Sequence, residues 1–178
     1  MSPATISNGR VEHERPPPSP FSDATFFQLG YVTRDIGRAM ELWRMRYGVS
    51  DFLSFNGRDF APPGATGPFL DVALAYRGDV MIELIQPDVD DPGIYGDALR
   101  DDGGVTLHHL HHLGYLVDDA RFATIVDDCA ALVIATPVVR KTGFCLVYAD
   151  TRADSGLFTE LVLPGPEVNR LFGAVPRN

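Results

Sequence analysis

Four side chains of this sequence are of types that bind metal ions, and they occur at matching places in two similar stretches. Each half carries Leu-Gly-Tyr near its start and Glu-Leu near its end: QLGYVTRD at 28–35 and ELIQP at 83–87, then HLGYLVDD at 112–119 and ELVLP at 160–164. Gln28 and His112 therefore stand just before Leu-Gly-Tyr, and Glu83 and Glu160 stand just before Leu. An amide, an imidazole and two carboxylates provide oxygen and nitrogen donors for a divalent metal. The repeat thus predicts one shared metal site.

Strand alternation predicts the face on which the first pair of candidates lies. Side chains point alternately to the two faces of a strand, so Phe27, Leu29 and Tyr31 are expected to share one face of the first strand. This apolar face is predicted to pack on helices, which leaves Gln28 on the opposite, concave face. The same argument in the second repeat assigns His112 to the concave face.

The other two candidates lie in strands that are otherwise apolar. Glu83 and Glu160 are each flanked, two positions away on both sides, by hydrophobic residues. An unpaired carboxylate in such a place is costly to bury, and one shared metal ion would explain two of them at equivalent positions. His108, His109 and His111 precede the ligand position, and one of them is a candidate for lining the site or transferring a proton.

The elements that must position these residues follow the order β-α-β-β-β twice. Asp35 is expected to cap the first helix, whose apolar residues recur at helical spacing as far as Gly48. Asp119 is expected to start the second helix. The predicted division is a disordered, Pro- and Ser-rich arm at 1–24, a first module at 25–86, a connector at 87–107, a second module at 108–165 and a C-terminal tail with a short helix at 166–178.

Composition limits the partners. A net charge of −9 and a pI near 4.8 argue against nucleic acids and anionic membrane surfaces, which attract basic proteins. The chain starts without a secretory signal, and Cys129 and Cys145 lack the CxxC spacing, which is typical of a reducing compartment. The sequence predicts a cytoplasmic protein with a small-molecule substrate. It leaves open whether the modules of one chain pair with each other or with those of a second copy in a homodimer.

The doubled motif resembles that of the vicinal oxygen chelate superfamily, whose modules carry H/Q-[LI]-G near the start and E-L near the end. The resemblance covers about residues 25–165, and the stretch IELIQP…IYGDALRDDGG…LHHLGYLVDD is similar to the epimerase/glyoxalase-like branch. It implies an α+β fold in which two tandem βαβββ modules form a cupped, partly open mixed β-barrel around a metal site. It also implies that Gln28, Glu83, His112 and Glu160 are the metal ligands.

What the resemblance implies for function is a metal-dependent isomerase or lyase. Such an enzyme stabilises an enolate or enediolate of a small carbonyl compound or acyl thioester, with Glu160 as the first candidate base and Glu83 as the second. The donor set suits Zn, Ni, Co, Mn or Mg, and Fe would be used by an oxygenase. The chain departs from methylmalonyl-CoA epimerases, which usually have His at the first ligand position and Gln at the second.

Two alternatives belong to other functional classes. One is an Fe(II)-dependent ring-cleaving or other dioxygenase, which Gln28 disfavours because extradiol enzymes use a second His at the metal. The other is a non-catalytic binding or resistance protein, which four intact candidate ligands disfavour.

Overall fold

The computed structural model describes residues 21–60, 64, 69–99, 107–131, 138–141 and 144–178. Residues 1–20 of the predicted arm lie outside this part of the chain. Residues 21–24 are described, and Phe21 and Ala24 pack against the core of the second module rather than extending away from it. Each helix in the described ranges is too short or too polar to cross a bilayer.

The first module has the predicted order of elements. Its bounds are β1 Thr25–Thr33, α1 Ile36–Tyr47, β2 Leu53–Asn56, a first 3₁₀ helix Gly57–Phe60, β3 Leu70–Arg77 and β4 Val80–Pro87. The Asp35 carboxylate accepts a hydrogen bond from the Arg38 N–H at 2.9 Å and so caps α1. Gly48 ends the helix with a φ of 69°, in the left-handed region that favours glycine.

The second module repeats this order with one unpredicted insertion. Its bounds are β5 His108–Leu116, α2 Asp119–Ala131, β6 Val138–Lys141, β7 Phe144–Ala149, α3 Arg152–Ser155 and β8 Phe158–Leu163. A second 3₁₀ helix, Gly93–Leu99, lies in the connector, and α4 Pro166–Ala174 follows β8. Helix α2 starts at Asp119 as predicted, but the Asp118 carboxylate caps it by accepting from the Arg121 N–H at 2.7 Å. The short helix α3 was not predicted.

The eight strands of the described ranges form one mixed sheet, in the order β2-β3-β4-β1-β5-β8-β7-β6. Within each module the first and last strands are parallel, β1 with β4 and β5 with β8. The modules join through antiparallel pairing of β1 with β5 at the centre of the sheet. The sheet curves into a half-barrel, which confirms the predicted α+β fold, and the two modules of one chain pair with each other.

The convex face of the sheet is covered by α1 and α2. Ala39 and Trp43 of α1 form a core with Ile82 and Leu84 of β4. In the second module, Ile125 of α2 is fully buried in the corresponding core. This covering explains the continuous apolar faces of the strands, because a sheet face must be packed against another layer to leave water.

The concave face is covered at two places, with a gap between them. Along β4, Met81, Glu83 and Ile85 point to this face because they are spaced by two residues. Met81 packs in the core that includes Val168 of α4, and Ile85 packs with Tyr95 of the second 3₁₀ helix. Glu83 therefore lies between α4 and the second 3₁₀ helix, in the middle of the cup.

Candidate metal centre

The four candidate ligands come from the four central strands, β4, β1, β5 and β8. Cross-strand pairing arranges them, with two glycines, in two adjacent rows: Glu83, Gly30 and His112 in one row, and Gln28, Gly114 and Glu160 in the other. Each row contains a glutamate from the end of one repeat, a glycine, and either the His112 or the Gln28 side chain from the start of a repeat. The doubled Leu-Gly-Tyr motif is thus explained by the central strand pair, where each strand provides one ligand and one glycine.

The two glycines make room for the ligands of the opposite module. A Cβ atom on Gly30 would lie 1.9 Å from Cε1 of His112, and one on Gly114 would lie 2.7 Å from Cβ of Gln28. Both distances are below 3.0 Å, a separation that Cβ atoms essentially never show from atoms of other residues. His112 and Gln28 therefore take their positions only because the residue directly opposite has no side chain.

Replacing Gly30 is expected to disrupt the metal centre from the first module. In Gly30→Ala the new methyl group must displace the His112 ring, and overpacking of this kind typically costs about 1–3 kcal/mol. We expect a lower melting temperature and at least about tenfold weaker Zn²⁺ binding, because a displaced ligand loses its orientation. Calorimetric unfolding and a chelator competition titration measure the two effects.

Gly173→Ala is the matched control for this substitution. A Cβ atom at Gly173 of α4 would have no atom within 4 Å, and alanine is favoured over glycine in a helix. We expect this variant to keep or gain stability and to bind Zn²⁺ like the unchanged protein. Equal Zn²⁺ affinity in Gly30→Ala and Gly173→Ala would contradict the role assigned to Gly30.

Three of the candidate ligands meet closely enough to share one ion. Donor atoms of Glu83, His112 and Glu160 all lie within 4.8 Å of one another. Nε2 of His112 is 3.2 Å from Oε2 of Glu83 and 3.4 Å from Oε2 of Glu160. The amide of Gln28 joins the cluster by donating from Nε2 to Oε2 of Glu83 at 2.6 Å. The structure therefore brings together all four residues singled out in the sequence.

The cluster of Glu83, His112 and Glu160 is almost completely buried. The His112 side chain is fully buried, and the side chains of Glu160 and Glu83 are 7% and 15% exposed. Burial by itself lowers the pKa of His112, but the Glu160 and Glu83 carboxylates outweigh it and raise the pKa to about 9. Burial also raises the pKa of Glu83, against the opposing effect of His112. Without a metal ion, the imidazolium is the positive charge that holds these carboxylates together.

The geometry of His112 fits a metal ion better than a hydrogen bond. Nε2 is buried and close to two carboxylate oxygens, but neither oxygen is placed to accept a hydrogen bond from it. Buried polar atoms are rarely left without a partner. A cation among Nε2 and the carboxylate oxygens would give this nitrogen a partner and would balance two negative charges. The residues present therefore fit a divalent metal.

Two β-bulges change the predicted faces of the central strands. In the register of β1 against β5, Phe27 and His111 are the extra residues. The prediction that Phe27 shares a face with Leu29 and Tyr31 is wrong, because Phe27 packs with Met81 on the concave side. Leu29 and Tyr31 pack in the core of α1 as predicted. The bulges let consecutive residues, Phe27-Gln28 and His111-His112, both be buried on the concave side.

The bulge in β5 brings His111 to the metal centre. Its side chain is buried, its Nδ1 lies 3.1 Å from Nδ1 of His112, and its Nε2 lies 3.2 Å from the Ile94 carbonyl oxygen. Burial, followed by the charge of His112, lowers the pKa of His111 to about 4, so this ring is neutral at pH 7. Of the three histidines before the ligand position, His108 instead packs against Trp43 and Tyr31 on the convex side.

Sequence reasoning missed two tyrosines beside the carboxylates. Tyr148 of β7 is paired in register with Glu160, its ring packs edge-on against His112, and its hydroxyl lies 3.4 Å from that of Tyr95. Burial, and then the charge of Glu160, raises the pKa of Tyr148 far above its usual range, so both carboxylates face neutral phenols. The internal repeat does not mark these residues. Tyr95 lies in the connector, within the IYGDALRDDGG stretch that was given no role in the site, and Leu74 is the corresponding partner of Glu83.

Comparison with known families identifies the kind of fold. Residues 27–136, more than half of the chain, match the family model described as Glyoxalase/Bleomycin resistance protein/Dioxygenase superfamily. No curated protein sequence matches the chain.

Solved structures with this fold include several methylmalonyl-CoA epimerases. The enzyme from Mycobacterium tuberculosis is similar with a TM-score of 0.55 and 15% identity, over 82% of this chain and 91% of that chain. A Streptomyces coelicolor variant in complex with 2-nitronate-propionyl-CoA gives a TM-score of 0.58 and 19% identity, over 82% and 97%. An epimerase in complex with methylmalonyl-CoA and NH4+ gives 0.56 and 19%, over 82% and 97%. At these identities the likeness establishes a common fold.

Proposed function

Because the chain belongs to the glyoxalase/bleomycin resistance protein/dioxygenase superfamily, the vicinal oxygen chelate proteins, we propose that it is a metal-dependent isomerase or lyase. Its substrate is a small carbonyl compound or acyl thioester that reacts through an enolate or enediolate. The ligands are Gln28, Glu83, His112 and Glu160. The observation that carries the proposal is the buried group of Glu83, His112 and Glu160, whose donor atoms lie within 4.8 Å of one another.

A divalent metal at this centre supplies a Lewis acid, which polarises a substrate carbonyl and stabilises negative charge on its oxygen. The protein residues hold and shield the reacting groups. His112 provides the nitrogen donor from a fully buried position, and Gln28 orients Glu83 through the 2.6 Å hydrogen bond. The nearly dry surroundings strengthen every charge interaction in the site.

Glu160 is the proposed general base, with Glu83 as the second candidate. Glu83 is already engaged by the Gln28 amide through Oε2. In the described part of the chain, no side-chain amide donates to Glu160, so this carboxylate is freer than Glu83 to take a proton. It would remove the hydrogen on the carbon next to the polarised carbonyl and could deliver a proton to the neighbouring carbon. Inversion of the same carbon would require a second group to deliver a proton from the opposite face.

Acyl thioesters are the first substrates to test, because similar folds belong to methylmalonyl-CoA epimerases and one was solved with methylmalonyl-CoA. This part of the proposal rests on fold analogy, since the sequences are at most 20% identical. A hemithioacetal of a 2-oxoaldehyde is the second substrate class, which tests the glyoxalase-like reaction.

The experiment is isotope exchange with the metal-loaded protein. Incubation with methylmalonyl-CoA in D₂O is expected to introduce deuterium at carbon 2, and mass spectrometry of the recovered thioester measures it. A hemithioacetal is tested in parallel for conversion to a thioester. Protein treated with a chelator is the control and should lose the reaction, with recovery when Zn²⁺, Ni²⁺ or Co²⁺ is added back.

Each alternative function has its own outcome in this experiment. Oxygen consumption by the Fe²⁺-loaded protein with a catechol, without isotope exchange in any carbonyl substrate, would select the dioxygenase. Ligand binding without turnover and without metal uptake would select a binding or resistance protein. Either result would replace the isomerase or lyase proposal.

A further inference from the structure

The hydrogen bonds of His111 fix the proton positions on His112. Nε2 of His111 faces the carbonyl oxygen of Ile94 at 3.2 Å. A carbonyl oxygen only accepts hydrogen bonds, so this nitrogen must carry a proton. In a neutral imidazole the other nitrogen then has a lone pair, and Nδ1 of His111 is therefore an acceptor.

The acceptor on His111 determines the tautomer of its neighbour. Nδ1 of His112 lies 3.1 Å from Nδ1 of His111 and must donate the proton in this contact. The reverse direction would require protons on both nitrogens of His111 and none on Nδ1 of His112. The positive charge would then lie on the buried His111 ring instead of on His112, which lies beside two carboxylates. The lone pair of a neutral His112 is consequently on Nε2, the atom that faces Glu83 and Glu160.

Packing holds His111 in this orientation. Its ring stacks on Phe158 at 4.8 Å with an interplanar angle of 28°, and Tyr95 contacts it at 4.9 Å. The β-bulge places His111 on the same side of the sheet as His112, although the two residues are consecutive. The corresponding bulge residue of the first module is Phe27, which cannot accept a hydrogen bond. The arrangement is thus specific to the module that provides the histidine ligand.

From this geometry we infer that His111 is a positioning residue, which holds one proton of His112 on Nδ1 by accepting a hydrogen bond from it, so that Nε2 is the nitrogen that gives up its proton to bind the metal. Histidine ligands of metals commonly donate their second N–H to a carboxylate, a carbonyl or water. Here a second imidazole takes that place and passes the bond on to the Ile94 carbonyl. The inference rests on the proposed metal site, but it also makes a statement about the metal-free protein.

Two substitutions separate hydrogen bonding from packing. His111→Phe keeps an aromatic ring against Phe158 and resembles the first module, but it removes the acceptor. His111→Asn places a side-chain oxygen near the position of Nδ1 and so restores an acceptor. We expect His111→Phe to weaken Zn²⁺ binding by about 10- to 100-fold in a chelator competition titration, and we expect His111→Asn to recover most of this loss.

The tautomer itself is measured by ¹⁵N NMR of the histidine rings at neutral pH. With Zn²⁺ bound, we expect Nδ1 of His112 to keep its proton. Without metal, where His112 carries a proton on each nitrogen, we expect His111 to be neutral with its proton on Nε2 and none on Nδ1. The hydrogen bond between the two rings should be lost in His111→Phe. His109→Phe, on the same strand, is the control and should bind Zn²⁺ normally.

The outcomes distinguish this inference from the metal site. An unprotonated Nδ1 on His112 in the unchanged protein would overturn the role of His111, whether or not the variants fold. Zn²⁺ affinity that is normal in His111→Phe, or equally low in His111→Phe and His111→Asn, would also overturn it. Failure of the unchanged protein to bind Zn²⁺, with His111 neutral and protonated on Nε2 as expected, would instead refute the proposed metal site.

Discussion

His112→Ala is expected to lose nearly all bound metal, with a Zn²⁺ affinity more than about 100-fold below that of the unchanged protein. The estimate is a lower limit, because losing a partner of a ligand already costs about 10- to 100-fold, and His112 is the nitrogen donor itself. Elemental analysis of the purified protein and titration with Zn²⁺ measure the loss. The isotope exchange proposed above should disappear with the metal.

Two controls show whether this loss is specific. His112→Ala leaves Glu83 and Glu160 close together without the imidazole, so circular dichroism must establish that the fold persists. His112→Gln keeps a polar side chain of the type found at Gln28 and is expected to fold, with intermediate metal affinity. His109→Ala should leave metal content unchanged. Full metal occupancy in folded His112→Ala would remove His112 from the ligand set.

Glu160→Gln is expected to slow deuterium exchange into the substrate by about 100-fold or more. The amide keeps the size of the side chain and an oxygen for the metal, but it cannot take up a proton at neutral pH, and general base catalysis typically contributes about 10²- to 10⁴-fold. Exchange rates must be compared at equal metal content, because the substitution also removes one charged ligand. Mass spectrometry of the recovered thioester gives both rates.

The matched variant Glu83→Gln decides which carboxylate is the base. We expect a smaller effect there, because Oε2 of Glu83 is held by the Gln28 amide. Asp90→Gln, at an exposed position of the loop after β4, should have no effect. If Glu83→Gln stops the exchange and Glu160→Gln does not, the roles of the two carboxylates are reversed. Equal, complete loss in both would favour a requirement for ligand charge over a single base.

Much of the site was predictable because the motifs that contain its residues occur in both halves of the sequence. A side chain such as Gln28 is unremarkable alone, but its equivalence with His112, and that of Glu83 with Glu160, restricts the explanations. Period-two alternation also held along β4, where Glu83 shares a face with the hydrophobic residues two positions away, Met81 and Ile85. Local pattern is sufficient where a strand has no irregularity.

The β-bulges and the pair of tyrosines could not be predicted, because they depend on interactions between segments that are distant in the sequence. Alternation failed at Phe27 and His111 because a β-bulge arises from the register of two strands, which neither strand specifies by itself. Tyr95 and Tyr148 come together from a 3₁₀ helix and β7, and their proximity follows from the curvature of the whole sheet. Helix α2 starts at Asp119 as predicted, and its cap is the preceding residue, Asp118, for which no prediction was made.

The reciprocal pairing of Gly30 with His112 and of Gln28 with Gly114 has an evolutionary consequence. A strand with a ligand at one position and a glycine two residues later is self-complementary, since two identical copies paired antiparallel would each set a ligand opposite the other's glycine. Duplication and fusion of a single module that paired with its own copy would leave this pattern. After fusion the halves cannot diverge independently at these positions, and homologues should show coupled substitutions at positions 30 and 112 and at 28 and 114.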